Sequence, residues 1–244
     1  MSVPIGKMKK HKEMLKHPVL RRYLPETHWM TDSRTLRMLK AYSSVFIKPN
    51  HGSGGSGIIR AKRLKKGYEV RCGSSRKVVG SHSVLKVIKS YRKTKHRYLV
   101  QKGLRLAKYH GVIFDIRIYL QKPAGKWMIA GTAARVAAPH KFVTNYLKGG
   151  HAAPLSTVLL SLTGNNQSKV DAYHRKINKL SIAIAKIINK RHSIRELGVD
   201  LAIDKKGRIW IIEANSHPGH MLFTQLPDQT MIRTIMRNKQ LIRG

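Results

Sequence analysis

The chain has 244 residues, with 49 Lys and Arg against 11 Asp and Glu, a formal net charge of +38. A hydrophobic fraction of 41% is enough to bury a core, which excludes wholesale disorder. The single cysteine, Cys72, excludes an internal disulfide and an all-cysteine metal cluster. Apolar runs such as 182–188 are broken by charges like Lys186, short of the ~20 residues a membrane helix needs. The basic start MSVPIGKMKKHKEML has no apolar stretch behind it and does not read as a signal peptide, so a soluble cytoplasmic protein is expected. So large a charge predicts affinity for polyanions: nucleic acid, an anionic polymer, an acidic protein or a membrane surface.

In chain order, residues 1–30 are basic and contain Pro18 and Pro25. The spacing predicts a helix over Thr31 to Tyr42 and a strand over Ser44 to Lys48, stopped by Pro49. Beyond the glycine loop, Ile58 to Ala61, Tyr68 to Arg71 and Lys77 to Val79 read as short strands. Turns fall at Lys66-Gly67 and Gly73-Ser74-Ser75. Ser83 to Tyr91 is a predicted helix and Arg97 to Gln101 a strand. Phe114 to Gln121 and Trp127 to Ala137 form a predicted hairpin about Pro123–Lys126. Tyr173, Ile177, Leu180, Ile184, Ile187 and Ile188 mark an amphipathic helix. Leu197 to Ile203 and Arg208 to Ala214 form a second hairpin, and residues 228–240 a closing helix. Strands and helices mix without regular βαβ alternation, which predicts an α+β fold with antiparallel sheets.

Two segments carry chemistry. In FIKPNHGSGGSGII, Gly52, Gly54 and Gly57 match G-x-G-x-x-G, but a strand follows, where a dinucleotide fold needs a helix. There is no G-K-[ST] of a Walker loop, and the kinase HRD and DFG triplets are absent. Two readings stay open: a glycine flap whose N–H groups close over phosphates with Lys48 as a point charge below, or a surface loop beside a solvated lysine. In LGVDLAIDKKGRIWIIEANSHPG, alternation puts Glu213 and Asn215 on one face, and pairing across the hairpin can bring Asp200 beside them. These are hard oxygen donors suited to Mg²⁺. Asp204 reads as a turn residue, and Glu196 as a surface or cap residue. Carboxylates are scarce in this chain, so Asp115, Glu196, Asp200, Asp204 and Glu213, all between residues 115 and 213, suggest a cation site, or else ordinary turns and caps.

The ordered set FIKPNHGSGGSGI, RYLVQKGL, FDIRIYL, Arg135, TNYLKGG and GVDLAID–WIIEANSHPG resembles an ATP-grasp enzyme. With HPVLRRYLPETHWM ahead of the loop, the sequence is similar to the YheC/YheD family, described as endospore coat-associated. RimK-type and tubulin tyrosine ligase-like ligases share its D-x-R and E-x-N elements. The resemblance implies an ATP-grasp fold, two subdomains with antiparallel sheets clasping ATP between them. Residues 1–43 would be a basic, reduced region ahead of the fold, 44–104 the lid subdomain with the glycine loop, and 105–244 the subdomain with the metal site. It implies that Lys48 contacts ATP phosphates, Gly54, Gly55 and Gly57 cap them, and Gln101, Lys102 and Leu104 hold adenine and ribose. Lys7, crowded by Lys9, Lys10 and Lys12, would be a second nucleotide lysine. Arg117 and Arg135 would grip the γ-phosphate and an acyl-phosphate, Asn145 would help orient the reacting carboxylate or a metal-bound oxygen, and Asp200, Glu213 and Asn215 would bind Mg²⁺, with Mn²⁺ an alternative ion.

The activity implied is an ATP-dependent carboxylate–amine ligase. Its rival is a weak or inactive ATP-grasp protein serving as a cationic binding component of the spore coat. An acidic substrate or polyanionic surface is the expected partner. Nucleic acid is less favoured, because aromatics are 7% and no standard nucleic-acid motif is present. Plain readings stand beside these: Asp115 pairing with Arg117 or a neighbour, Arg135 as one more surface cation, Gly149-Gly150 as a turn and Cys72 as structural. His217, beside the E-x-N element, is a further candidate. Only about 45 residues precede the glycine loop, so the acceptor side is expected to be minimal or supplied by another protein.

Overall fold

The computed structural model describes residues 5–52, 54–93, 95–139, 141–144 and 149–243. The chain divides into two compact units. The first comprises Ile5–Lys9 and Pro25–Leu104, and the second includes Lys10–Leu24 and Arg105–Gly244. The basic N-terminal stretch is thus shared between the units. It contains a helix absent from the sequence expectation, α1 (Lys7–Leu15).

In the first unit, strands β1 (Thr27–Trp29), β2 (Ser44–Pro49), β3 (Ile59–Arg63), β4 (Tyr68–Cys72), β5 (Ser75–Val79) and β6 (Tyr98–Lys102) form an antiparallel sheet in the order β1-β6-β2-β3-β4-β5. Helices α2 (Asp32–Ala41) and α3 (Val84–Ser90) complete it. α2 begins where Thr31 accepts a hydrogen bond from the Arg34 N–H, with Asp32 in the first turn and Lys40 in the last, each suiting the helix dipole. Val45, Ile47, Ile59, Ala61, Val70 and Val100 alternate onto one face and pack against Met38 and Leu39 of α2 and Val84 and Ile88 of α3. The opposite face carries Lys48, Arg60, Arg71 and Gln101, by the same alternation.

In the second unit, β8 (Val112–Gln121), β9 (Met128–Val136), β10 (His151–Ala153), β11 (Glu196–Ile203) and β12 (Ile209–Asn215) form a sheet in the order β10-β9-β8-β11-β12, and the short β7 (Lys108–Tyr109) pairs with β8. Helices α4 (Leu155–Thr163) and α5 (Gln167–Asn189) cover the face that carries Phe114, Ile116, Ile118 and Leu120. α5 buries Val170, Ile177, Leu180, Ile184 and Ile188, the stripe its periodicity predicts, and Asn166 caps its start by accepting from Lys169 N–H. The turn between β11 and β12 is set by Asp204, whose carboxylate accepts from the N–H groups of Lys206 and Arg208, as its turn reading anticipates. α6 (Thr230–Arg243) and the 3-10 turn Met221–Gln225 pack on the other face, around Tyr119, Ala133, Phe223 and Ile235. Both sheets are antiparallel with helices beside them, the α+β architecture expected. Among the described residues no helix is long and apolar enough to cross a membrane.

Candidate active site

In the second unit the charged residues of four adjacent strands share one face. Asp115 of β8 lies opposite Arg135 of β9, Arg117 opposite Asp200 of β11, and Asp200 opposite Glu213 of β12. The Arg117 guanidinium donates to both Asp200 oxygens, from Nε at 2.6 Å and Nη2 at 3.1 Å. Arg135 donates to both Asp115 oxygens at 2.7 Å and also reaches Asp200 Oδ2 at 2.8 Å. Thr144 donates to Asp115 from its hydroxyl at 2.6 Å. These four ionic side chains are 10–13% exposed.

Burying four charges is costly, by several kcal/mol for each ion. The cost is offset because the quartet is internally neutral and both guanidiniums bind as forks. Burial alone would raise the Asp200 pKa. The guanidiniums of Arg117 and Arg135 outweigh it and hold this carboxyl well below the usual carboxylate range. Burial alone would likewise favour loss of the Arg135 proton, but Asp115 and Asp200 reverse that and fix its charge. Arg135 is therefore not one more surface cation.

A β-bulge sets the phase of β12. Asp200 pairs with Glu213 but Leu201 pairs with Ile211, so Ile212 is an extra residue. Ile209 and Ile211 face the core. Strict alternation from Ile211 would turn Glu213 inward, and the bulge turns it to the face of Asp200 instead. Asn215 lies opposite Gly198 on that face. A side chain at Gly198 would meet Pro218 Cβ at 2.8 Å, so glycine here lets the 216–219 segment close down beside Asn215. The Asn215 side-chain oxygen accepts from His217 N–H at 3.3 Å, while the His217 side chain is exposed.

Glu196 is not the surface or cap residue expected. It accepts from Tyr119 Oη at 3.0 Å, Gln121 Nε2 at 2.9 Å and Lys239 Nζ at 3.0 Å, tying β8, β11 and α6 together. Burial, and then the Glu196 charge, push the Tyr119 hydroxyl well above its ordinary pKa, so it stays a donor.

In the first unit, buried Lys48 donates to Gln101 Oε1 at 2.6 Å, and Gln101 Nε2 donates to Thr27 Oγ1 at 2.9 Å. Lys7 reaches the glycine loop: its Nζ donates to Gly52 O at 2.6 Å, and its N–H donates to Asn50 O at 2.9 Å. Gly54, Gly55 and Gly57 have φ of +68°, +66° and +69°, a run of left-handed turns that side chains disfavour. The Lys102 ammonium lies 4.9 Å from the centroid of the Tyr42 ring, and Leu104, just beyond β6, is half-buried. Asn145 lies outside the described residues.

Sequence reasoning thus places Lys7, Lys48 and Gln101 about the glycine loop and its strands, and Arg117, Arg135, Asp200 and Glu213 on one face of the second sheet. It gave Thr144 and Thr27 no role, and took Asp115 and Glu196 only as members of a carboxylate group that suggests a cation site or else ordinary turns and caps. The D-x-R spacing was the available signal for Asp115, since residues two apart on a strand share a face. Nothing local marks Thr144, Thr27 or Glu196.

The architecture is the ATP-grasp α+β fold. The chain is similar to D-alanyl-alanine synthetase A from Vibrio cholerae O1 biovar eltor str. N16961, with a TM-score of 0.56 over 98% of this chain and 65% of that one, at 14% identity. The chain belongs to the YheC/D-like ATP-grasp family, whose model matches residues 3–240. It is 28% identical over 227 residues to endospore coat-associated protein YheD of Bacillus subtilis (strain 168), covering 88% of this chain and 48% of that protein. It is 26% identical over 216 residues to endospore coat-associated protein YheC of the same organism, covering 85% of this chain and 58% of that protein. The chain thus spans about half the length of the curated relatives it matches.

Proposed function

We propose that the chain is an ATP-dependent carboxylate–amine ligase acting through an acyl-phosphate. The observation that carries this reading is the buried Arg117–Arg135 pair, held by Asp115 and Asp200 on the face that also bears Glu213 and Asn215. A carboxylate oxygen of the substrate takes the γ-phosphoryl group and ADP leaves. The amine nitrogen then attacks the acyl carbon, the C–O bond to phosphate breaks, and the amine gives up a proton. No side-chain nucleophile is needed, so the protein's part is positioning and electrostatic stabilisation. Arg117 and Arg135 present planar donors to the phosphoryl oxygens. Lys48, Lys7 and the N–H groups of the glycine loop hold the remaining phosphates, with Gln101, Lys102 and Leu104 toward the adenosine and Asn145 toward the carboxylate.

The donors fit a magnesium ion. Glu213 and Asn215 offer hard oxygens, and Asp200 faces Glu213, although its oxygens already accept from two guanidiniums. Among the described residues no three His, Cys, Asp or Glu side chains form a metal-sized group. When bound, the ion would neutralise phosphate charge.

The net charge of +38 favours an acidic polymer or protein as the carboxylate substrate. It also supports the second reading, a cationic spore-coat component with little or no turnover, in line with the coat-associated description of the Bacillus subtilis relatives. Mg–ATP binding and ADP release, measured at several salt concentrations beside Glu213→Ala, separate the two. The ligase reading expects binding and slow turnover in the wild type and loss of turnover in the variant. Absence of ATP binding at every salt concentration sinks it and leaves the coat-component reading.

A further inference from the structure

A backbone carbonyl can only accept a hydrogen bond, and a threonine hydroxyl has one proton to give. Thr27 Oγ1 gives that proton to Pro25 O at 2.9 Å. Its oxygen is then left to accept, and it accepts from Gln101 Nε2 at 2.9 Å. The Gln101 amide is thereby held in one of its two orientations, with its nitrogen toward Thr27 and its oxygen toward Lys48. That oxygen accepts from Lys48 Nζ at 2.6 Å. The direction of each bond follows from the one before it, and the Pro25 carbonyl fixes the first.

Strand register assembles the chain. Thr27 of β1 lies directly opposite Gln101 of β6, and Gln101 lies directly opposite Phe46 of β2, two residues before Lys48. These four side chains therefore share one face of the sheet, the one turned away from α2 and α3. Lys48 and Gln101 are both buried. The Lys48 ammonium also lies 5.8 Å from the centroid of the Phe46 ring. A lysine stem is flexible, so a short charge-assisted hydrogen bond does much to restrict where its ammonium sits. Gln101 is a neutral acceptor, so this contact aims the ammonium without cancelling its charge. The reversed amide would set an NH₂ donor against the ammonium, and would set its oxygen against a hydroxyl whose proton is already given to Pro25. The Thr27 hydroxyl thus selects the orientation that Lys48 needs.

We propose that Thr27 is a positioning residue for nucleotide binding: its hydroxyl fixes the Gln101 amide, and Gln101 holds the Lys48 ammonium where it meets phosphate. This role rests on the ligase reading, in which Lys48 takes the nucleotide phosphates. It is compatible with Gln101 lying toward the adenosine, because the amide keeps a second N–H and a second lone pair.

The test compares Thr27→Val, which keeps the branched shape and removes the hydroxyl, with Thr27→Ser, which keeps the hydroxyl. Thr35→Val is the control. It removes a buried hydroxyl of the same unit, one that donates to Thr31 O in α2. Two quantities are read on the full chain. One is the Kd for Mg–ATP by titration calorimetry. The other is the rate at which an N-hydroxysuccinimide ester acylates Lys48 without nucleotide, by peptide mass spectrometry relative to the exposed Lys62. Thr27→Val is expected to raise the Kd about tenfold, the loss of one hydrogen bond to a charged group. It should also speed acylation of Lys48 severalfold, because the amine is no longer held. Thr27→Ser should keep wild-type values of both, and Thr35→Val should lower the melting temperature without moving either. Wild-type values of both in Thr27→Val would overturn the proposal and leave the ligase reading standing. So would a weaker Kd with Lys48 acylation unchanged, or one that serine does not restore or that Thr35→Val matches. Absence of Mg–ATP binding in the wild type would sink the ligase reading and the nucleotide role of Thr27 with it, while the acylation rates would show separately whether Thr27 holds Lys48.

Discussion

Asp200 accepts hydrogen bonds from two guanidiniums while almost wholly buried, so its ionisation is tied to folding. Its folded pKa lies below the unfolded value of about 3.9. The stability it contributes is therefore fully present above that value and is lost as pH falls through the folded pKa of about 2. Asp200→Asn should flatten the acid limb of the stability profile in this window, measured by urea unfolding at each pH. At neutral pH the same variant breaks a buried ion pair and should lose about 3–5 kcal/mol. Arg135→Lys tests a different property. It keeps the charge but loses the fork that spans both Asp115 oxygens, and under the proposed ligase reading ADP release should fall about 10²- to 10³-fold with the far-UV circular dichroism unchanged.

At the scale of elements, the hairpin of β11 and β12 was legible from its turn chemistry, and α5 from its 3.6-residue stripe. α4 was not, because LSTVLLSLT is apolar with polar residues that mark no clear face, and its ends are set by Pro154 and the left-handed Gly164. The short β1 and β10, three residues each, are too brief to show a period. The bulge at Ile212 was invisible for another reason: Leu201 and Ile211 pair and are both buried in the core, so the register shift between Asp200 and Leu201 is a property of the paired strands and not of either segment alone. Gly198→Ala tests how closely the 216–219 segment must approach this hairpin. The added methyl would lie 2.8 Å from Pro218 Cβ, and overpacking of this kind costs about 1–3 kcal/mol, read as a lower melting temperature. Asn166→Ala, which removes the cap of α5, should cost about 1 kcal/mol by the same measurement.

At the scale of the whole molecule, a net charge of +38 makes the folded chain repel itself. Ions screen such repulsion, with a Debye length of about 8 Å at physiological ionic strength. The melting temperature should therefore rise between about 20 mM and 300 mM NaCl. A fall would mean that attractive surface ion pairs dominate instead. The buried quartet of Asp115, Arg117, Arg135 and Asp200 should change little in that titration, since buried pairs are screened far less than exposed ones.

The sequence by itself determined the excess of cations, the antiparallel α+β pattern, the glycine loop between strands, and the oxygen donors of the second hairpin. Each of these follows from local rules: alternation along a strand, the stripe of a helix, or the backbone demands of a turn. Tertiary structure decided which cation meets which anion. Arg135 binds Asp115 and Asp200, Lys239 binds Glu196, and Lys7 reaches the loop at Gly52. It also set Arg60, Arg71 and Arg76 in one row. These partners lie up to tens of residues apart in the chain, and strand register brings them together. Register is fixed by how whole faces of a sheet bury their apolar side chains, a property no single segment carries.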